Sequence, residues 1–340
     1  MSLASFIVSQ AGPLVTVQDG GRPRLLRFGV PASGPMDRAS FAIANAALGN
    51  AATAPAIEVS VGGVTLECIE GSVTFAVAGG GFQVALDQLS LGSWCVATIR
   101  AGSRLVIKPG GWGSWAYLAF AGQLHAQRWL GSVSTHAASG LGGGRLAVGQ
   151  RLIVENAEIR EQRSGDIARL VTAQPRGAIR VVLGPQDRFF SPGKIDALLS
   201  QPFALTDAYD RMGVRLAGPS LHPNATLDMP SEAIVRGSIQ VSGDGVPTVL
   251  LADHQTTGGY PKIATIISDD LDGFVQLRSG SPLRFASITP EAAIQAARAG
   301  RHAQEQFLAS LRDPAASLTQ KLLSLNLIDG VVNASESPRV

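Results

Sequence analysis

Three segments of the chain gather polar side chains among glycines, and the last is the densest. Gly243-Asp244-Gly245 leads into an apolar run, Thr248-Val249-Leu250-Leu251, which is followed by Asp253-His254-Gln255-Thr256-Thr257-Gly258-Gly259-Tyr260-Pro261-Lys262. Glycines let a ligand approach the backbone closely, and Asp, Gln and Thr offer both donors and acceptors to an amide or ureido group. Gln240, on the approach to this segment, adds a further carboxamide. The same residue types also suit an Asx-turn closed by a Gly-Gly corner, and on composition alone the two readings balance.

The opening segment runs Thr16-Val17-Gln18-Asp19-Gly20-Gly21-Arg22-Pro23 and continues through Arg27 to Ser33-Gly34-Pro35-Met36-Asp37. Ser33 and Asp37 flank the start of a helix predicted over 35–48, where free N–H groups attract carboxylates or phosphates. Arg22 and Arg27 are suited to assist as anion ligands. By residue type the plainer reading outweighs this one: a hairpin, then an N-capped helix with Asp37 complementing the dipole. The middle segment places Gln186 and Asp187 after Gly184-Pro185, with Arg211 and Arg215 two dozen residues on. Gly213 argues against a helix there, and an extended segment puts both arginines on one side, so both reach a ligand or both are solvated.

Several devices are missing. No GxxxxGK[ST] occurs, since Gly140 to Gly144 lacks the lysine, and no GxSxG elbow is present. The five histidines fall in no metal-ligand pattern, so no metal site is expected. Only His254 stands in a polar cluster, where a lone histidine is more often hydrogen-bonded structure than a base. Cys68 and Cys95 lie in apolar surroundings and read as buried free thiols. With 28 basic residues scattered against 26 acidic ones, a nucleic-acid surface is not indicated. No 18-residue apolar run and no charged n-region followed by an apolar stretch occur, so a soluble cytoplasmic protein without membrane contact is expected.

What must position these segments follows from composition. Gly and Pro occupy 58 of 340 positions, which excludes a helical bundle, while 45% hydrophobic and 16% charged residues exclude a disordered chain. Short runs such as Val73–Val77, Arg104–Ile107, Ile179–Leu183 and Thr248–Leu251, bounded by Gly and Pro, predict many strands and a barrel or sandwich. Helices are predicted over 35–48, after Ser191-Pro192, and from Thr289-Pro290 to about Leu311, the last burying Ile294, Phe307 and Leu311. Gln18-Asp19 recurs as Gln186-Asp187, Gly71-Ser72 as Gly237-Ser238, and Gly102-Ser103-x-Leu105 as Gly280-Ser281-x-Leu283. Their common order predicts two related β lobes, 1–175 and 176–288, with a boundary near Gln174–Gly177, then the helix 289–312 and a tail 313–340.

Taken together and in this order, the segments resemble the KipA family, also called allophanate hydrolase subunit 2, a biotin-dependent carboxyltransferase-like family that includes the C subunit of bacterial 5-oxoprolinase. The resemblance rests on Val17–Arg22, Gly29–Pro31, Ser33–Asp37, Gly184–Asp187, Arg211–Leu216, Gly243–Gly245 and above all Leu251–Ala264. Ser242 departs from a common Pro, Arg188 from a common acidic residue and His254 from a frequent Arg. The resemblance implies a mainly β fold of two related cyclophilin-like β-barrel lobes with a few short helices. It implies a KipI-family partner (subunit 1), a LamB/YcsF-type subunit, a small amide or ureide substrate, and ATP consumed by the complex although this chain has no P-loop. Biotin enters only if another protein supplies it, because no Met-Lys-Met biotinylation sequence occurs here. The expected catalytic set is Asp253 as the acidic member, with Gln255, Thr256, Thr257, Tyr260 and Lys262. The expected substrate-binding set is Asp19, Arg22, Arg27, Ser33, Asp37, Gln186, Asp187, Arg211, Arg215, Gln240, Gly258 and Gly259. Three functions follow: a subunit of an ATP-dependent 5-oxoprolinase, inactive alone; the carboxyltransferase part of a urea-type carboxylase; or a regulatory protein that binds a KipI-like partner.

Overall fold

The alternating run Val73–Val77 lies in the strand Ser72–Ala78, whose side chains are buried from Val73 onward. The computed structural model describes residues 2–170, 177–224 and 229–312. Within 2–170 the strands form two sheets. One has seven strands in the order Gln123–Leu124, Arg151–Glu155, Leu3–Ala11, Val64–Glu70, Arg104–Lys108, Gln83–Leu86 and Leu89–Gly92. The other has six, in the order Gly165–Asp166, Cys95–Arg100, Ser72–Ala78, Trp115–Phe120, Ala56–Ser60 and Thr16–Gln18. Apolar faces of the two meet in one core, where Phe6 and Phe120 lie 5.1 Å apart between ring centroids. Truncating either ring to Ala would cost about 3–5 kcal/mol.

Residues 179–287 build an eight-stranded sheet in the order Pro282–Leu283, Phe203–Tyr209, Gly213–Ala217, Pro247–Leu250, Ser238–Val241, Lys262–Ile266, Ile179–Leu183 and Phe285–Ser287. Its two edge strands are separated by one residue, Arg284, so the sheet curls back on itself into a nearly closed barrel. All pairings in it are antiparallel except that of Ile179–Leu183 with Phe285–Ser287. A separate two-stranded ribbon pairs Glu232–Ala233 with Thr257–Gly258. The repeated dipeptides occupy matching places: Gly71 (φ 74°) and Gly237 (φ 91°) each open a strand, and Gly102 (φ 88°) and Gly280 (φ 77°) each stand two residues before one. The expected boundary residues 174–176 lie outside the described residues, as does the tail from 313.

Helix α1 (Arg38–Leu48) starts three residues later than its apolar pattern suggested, because Asp37 is the N-cap and accepts from the Ser40 N–H; it ends at Gly49 in the left-handed region. Nearly every residue of α1 is buried, packed on the strands Ser72–Ala78 and Trp115–Phe120. Helix α2 (Pro192–Ser200) begins as expected after Ser191. Helix α3 (Ser268–Val275) has no clear sequence signature, since Gly273 and three aspartates in eight residues mask its pattern. Helix α4 (Pro290–Arg312) packs against α1 and α3. Its expected buried stripe is corrected: Ile294 is 52% exposed, Phe307 and Leu311 are half-buried, and Leu308 is the buried residue. Among the described residues no helix is long and apolar enough to cross a membrane.

Candidate functional site

Where the barrel meets the first two sheets, one guanidinium joins all three polar segments. The Asp210 carboxylate accepts the N–H groups of Met212 (2.7 Å) and Gly213 (3.2 Å), a tight turn that throws Arg211 inward before its strand begins. Arg211 donates to both oxygens of Asp253, each at 3.0 Å, to the Gly34 carbonyl at 2.6 Å, and through Nη1 to Glu58. The other Glu58 oxygen accepts the Met36 N–H (2.7 Å) and the Tyr117 hydroxyl (2.8 Å), and the Ala137 N–H donates to Asp253 at 2.9 Å. The side chains of Arg211, Glu58 and Asp253 are sealed from solvent. Burial raises the Asp253 carboxyl, but the Arg211 charge and its hydrogen bonds outweigh that and hold it below its ordinary value. Arg215 behaves differently: it is exposed and pairs with Asp244 at 2.6 Å. The two arginines therefore do not share a side, because Arg211 belongs to the turn and Arg215 to the strand.

Beside this network Asp37 is fully buried and accepts from the Ser40 N–H (2.9 Å), the Ser40 hydroxyl (2.6 Å) and the Gln276 carboxamide (2.7 Å). Burial, then the charge of Asp272, push it up to about 7 against those bonds. Gln276, just after α3, also accepts the N–H groups of Ser114 and Trp115, so it clasps the barrel to the strand Trp115–Phe120. Arg236 donates to the Pro35 and Met36 carbonyls, and burial followed by the nearby Arg38 charge lowers it to about 10.

Asp19 accepts four bonds, from Gly21 N–H (2.9 Å), Ser132 hydroxyl (2.5 Å), Val133 N–H (2.9 Å) and Ser134 hydroxyl (2.7 Å). With burial opposing and those bonds prevailing, its carboxyl sits below the ordinary value and its acceptor directions are spent. Arg22, 2% exposed, donates to the carbonyls of Trp129 (2.8 Å), Ser132 and Ser134 and stacks 4.7 Å from the Trp129 ring, leaving only Nη1 without a hydrogen bond. Both residues expected to touch substrate thus pin the loop 129–144, which also carries Ala137. Ser33 is buried beside Asp253, and Arg27 is exposed over the Phe28 ring. A cavity of about 780 Å³ opens beside Asp19, Gln123, His125 and Glu155.

The barrel mouth holds the remaining set. Gln186 accepts the Lys262 N–H at 2.9 Å and donates to the carboxylate of Glu232 on the ribbon. Gln240 stands across from Lys262 in the sheet, and its oxygen faces the Gln255 amide at 3.4 Å. Both carboxamides line a cavity of about 490 Å³ with Thr248, Met212 and Arg215. Gly258 packs so tightly that a Cβ would lie 2.6 Å from Ile234 and 3.3 Å from the Gln240 oxygen. Thr256 and Gly259 are half-buried, Thr257 and Tyr260 are exposed at the rim, and Asp187 is half-buried at the start of a short 3-10 turn. His254 is buried with Nδ1 on the Gln255 carbonyl at 2.6 Å; burial lowers its pKa, so the ring is neutral at pH 7 with Nδ1 as donor. Lys262 is 1% exposed, and its Nζ makes no hydrogen bond.

The expected residues therefore divide into a sealed junction (Ser33, Asp37, Arg211, Asp253), a loop clamp (Asp19, Arg22) and an open mouth (Gln186, Gln240, Gln255 to Gly259, Tyr260, Lys262). Arg27 and Asp187 join none of them, and Arg215 lines the mouth cavity while paired with Asp244. Glu58, Tyr117, Ser132, Ser134, Glu232 and Gln276 belong to these groups without standing out in the sequence. Glu58 alone carried a signal, as a carboxylate inside the apolar strand Ala56–Ser60. Among the described residues no group of three or more His, Cys, Asp or Glu is placed to hold a metal ion.

A family model for the carboxyltransferase domain, subdomain A and B, matches residues 28–287. The chain is 34% identical over 307 residues to the C subunit of 5-oxoprolinase from Escherichia coli (strain K12), covering 89% of this chain and 96% of that protein. It is 29% identical over 338 residues to urea amidolyase of Lachancea kluyveri, covering 91% of this chain but 18% of that protein. Among solved structures, TTHA0988 matches with a TM-score of 0.75 and 32% identity over 84% of this chain, which spans 55% of TTHA0988. The Kluyveromyces lactis urea carboxylase matches with a TM-score of 0.80 and 25% identity over 90% of this chain and 29% of that one.

Proposed function

The chain belongs to the carboxyltransferase domain family of subdomains A and B, and on that premise we propose that it serves as the C subunit of an ATP-dependent 5-oxoprolinase. In this reading it helps open the 5-oxo-L-proline lactam to L-glutamate together with a KipI-type and a LamB/YcsF-type subunit, and it is inactive alone. The observation that carries the reading is the 34% identity along nearly the whole of a 5-oxoprolinase subunit, against 29% to a urea amidolyase.

A lactam is a poor electrophile, so its opening needs donors on the carbonyl oxygen and an acceptor at the ring N–H. The mouth offers both: the carboxamides of Gln240 and Gln255, the hydroxyls of Thr256, Thr257 and Tyr260, and the Lys262 ammonium. Asp253 is assigned a positioning role, because both of its oxygens are bonded to Arg211 and no solvent reaches it. The partner subunit is assigned to the rim, where Thr257 and Tyr260 are exposed. ATP is assigned to the assembled complex, since among the described residues the cations of the mouth are Lys262 and Arg215, and Arg215 is already paired with Asp244.

The likeness to urea carboxylase over 90% of this chain favours a second reading, carboxyl transfer to a urea-type substrate. The paired carboxamides also fit the ureido ring of biotin brought by another protein, and carboxybiotin would supply an activated carboxyl group there. Mixing the three purified subunits decides between them: 5-oxoproline-dependent ATP hydrolysis with glutamate formed is the expected result. ATP hydrolysis that ignores 5-oxoproline, with labelled bicarbonate reaching urea when a biotin carrier is added, would establish the second reading instead.

A further inference from the structure

Lys262 is the anomaly of the barrel mouth. It opens the strand Lys262–Ile266, is 1% exposed, and its Nζ has no hydrogen-bond partner. A buried ammonium without a partner costs several kcal/mol, so such groups are normally paired. Glu232, the acid whose charge reaches Lys262, does not repair this: it accepts the Gln186 amide and makes no hydrogen bond to Nζ. Burial lowers the Lys262 pKa and Glu232 only partly offsets it. A side chain needed only to fill this space would be better as Met or Leu, which carry no charge to desolvate.

The surroundings are those of a covered ligand site. Gln240, directly across the sheet from Lys262, lines the 490 Å³ cavity with Gln255. The ribbon of Glu232–Ala233 and Thr257–Gly258 lies outside the barrel sheet and packs on Gln240 and Gln255 through Gly258. Its fastening to the barrel includes a side-chain hydrogen bond from Gln186 to Glu232.

We propose that Lys262 is the carboxylate-binding cation of this mouth: a small carboxylate ligand enters beneath the ribbon and takes the Nζ donors that the protein leaves open. Resting on the 5-oxoprolinase reading, the ligand group is the carboxylate of the lactam acid, which a neutral ureide lacks. A carboxylated carrier presents the same chemistry from another source, and the arms below separate the two.

The chain has four lysines, Lys108, Lys194, Lys262 and Lys321, so protein labelled with ¹³C at lysine Cε gives few signals, and Lys262→Met assigns the one of interest. The labelled chain, alone and with its partner subunits, is titrated with 5-oxo-L-proline, with 2-pyrrolidinone as the same ring without the carboxylate, and with a carboxybiotin carrier. The expected result is that 5-oxo-L-proline moves the Lys262 signal and raises its titration midpoint while 2-pyrrolidinone leaves it in place. Lys262→Met then weakens 5-oxo-L-proline at least about tenfold and 2-pyrrolidinone hardly at all, as loss of a charge-assisted contact requires. If only the carboxybiotin carrier moves the signal, the carboxylate site stands and the 5-oxoprolinase reading falls. A Lys262 signal that no carboxylate moves, or a variant that weakens acid and neutral lactam equally, overturns the proposal.

Discussion

Replacing Arg211 by Met tests whether the lobes are joined by a buried ion network. The substitution removes the fork that bonds both Asp253 oxygens, the bond to Glu58 and the donor to the Gly34 carbonyl, while Met fills much of the volume. Glu58 keeps Met36 and Tyr117 and Asp253 keeps Ala137, but neither retains a cation, and both are sealed. Breaking a buried pair in this way costs about 3–5 kcal/mol. Against a typical total of roughly 5–15 kcal/mol, urea unfolding should show a much lower midpoint with an unchanged slope. The deficit must also depend on pH. In the wild type the depressed Asp253 pKa contributes stability above its unfolded value; without Arg211, burial raises that pKa, so stability is lost as pH rises through it. The deficit is therefore larger at pH 8 than at pH 5. Adding Glu58→Gln and Asp253→Asn to Arg211→Met removes the stranded charges and should recover part of the loss. A deficit below about 1 kcal/mol, the worth of an exposed pair, or one that is flat with pH, refutes the reasoning.

Asp37 titrates in the folded protein at about 7, up from 3.8, so its contribution falls as pH rises between those values. Asp37→Asn should lack that decline, and parallel stability curves for variant and wild type would contradict it. Gly258→Val places side-chain atoms against Ile234, Gln240 and Gln255, so in the reconstituted complex KM should rise about tenfold for an overpacking cost near 1–3 kcal/mol; an unchanged KM removes the ribbon from the site. Cys68 and Cys95 are buried free thiols whose pKa values burial raises, that of Cys95 to about 12. Ellman's reagent should find two thiols only after unfolding, and rapid reaction of the native chain would be the contrary result.

Local signals carried the element types well. Glycine-bounded apolar runs became strands because period and turn chemistry act over a few residues. The three polar segments could be seen, but not which of their members face each other, since that depends on pairing far along the chain. Arg211 and Arg215 illustrate the difference: four residues apart, one is turned into the protein by Asp210 and the other points out from a strand. Tyr117 lies in a stretch that reads as ordinary strand, Glu58 stands out only as a carboxylate in an apolar run, and Gln276 follows a helix without a sequence signature; all three become part of the junction only when the two lobes meet. Helix α3 escaped because its aspartates are bonded to Arg180 and to the start of α1 rather than left in water.

The segment Asp253–Lys262 is anchored at both ends to different parts of the molecule. Asp253 is tied to Arg211 and, through Ala137, to the first lobe, while Lys262 is locked into the barrel by exchange of bonds with Gln186. Between them Gln255 to Tyr260 bridges the junction and the mouth, stiffened by the His254 contact to the Gln255 carbonyl. Any rotation of one lobe against the other must therefore change the span of this bridge and the placement of Gln255, Thr256 and Thr257. A partner that grips both lobes would set the geometry of the mouth without touching the substrate. On the proposed 5-oxoprolinase reading, this would make the chain inactive alone, with the coupling carried by the Arg211–Asp253 pair rather than by the rim.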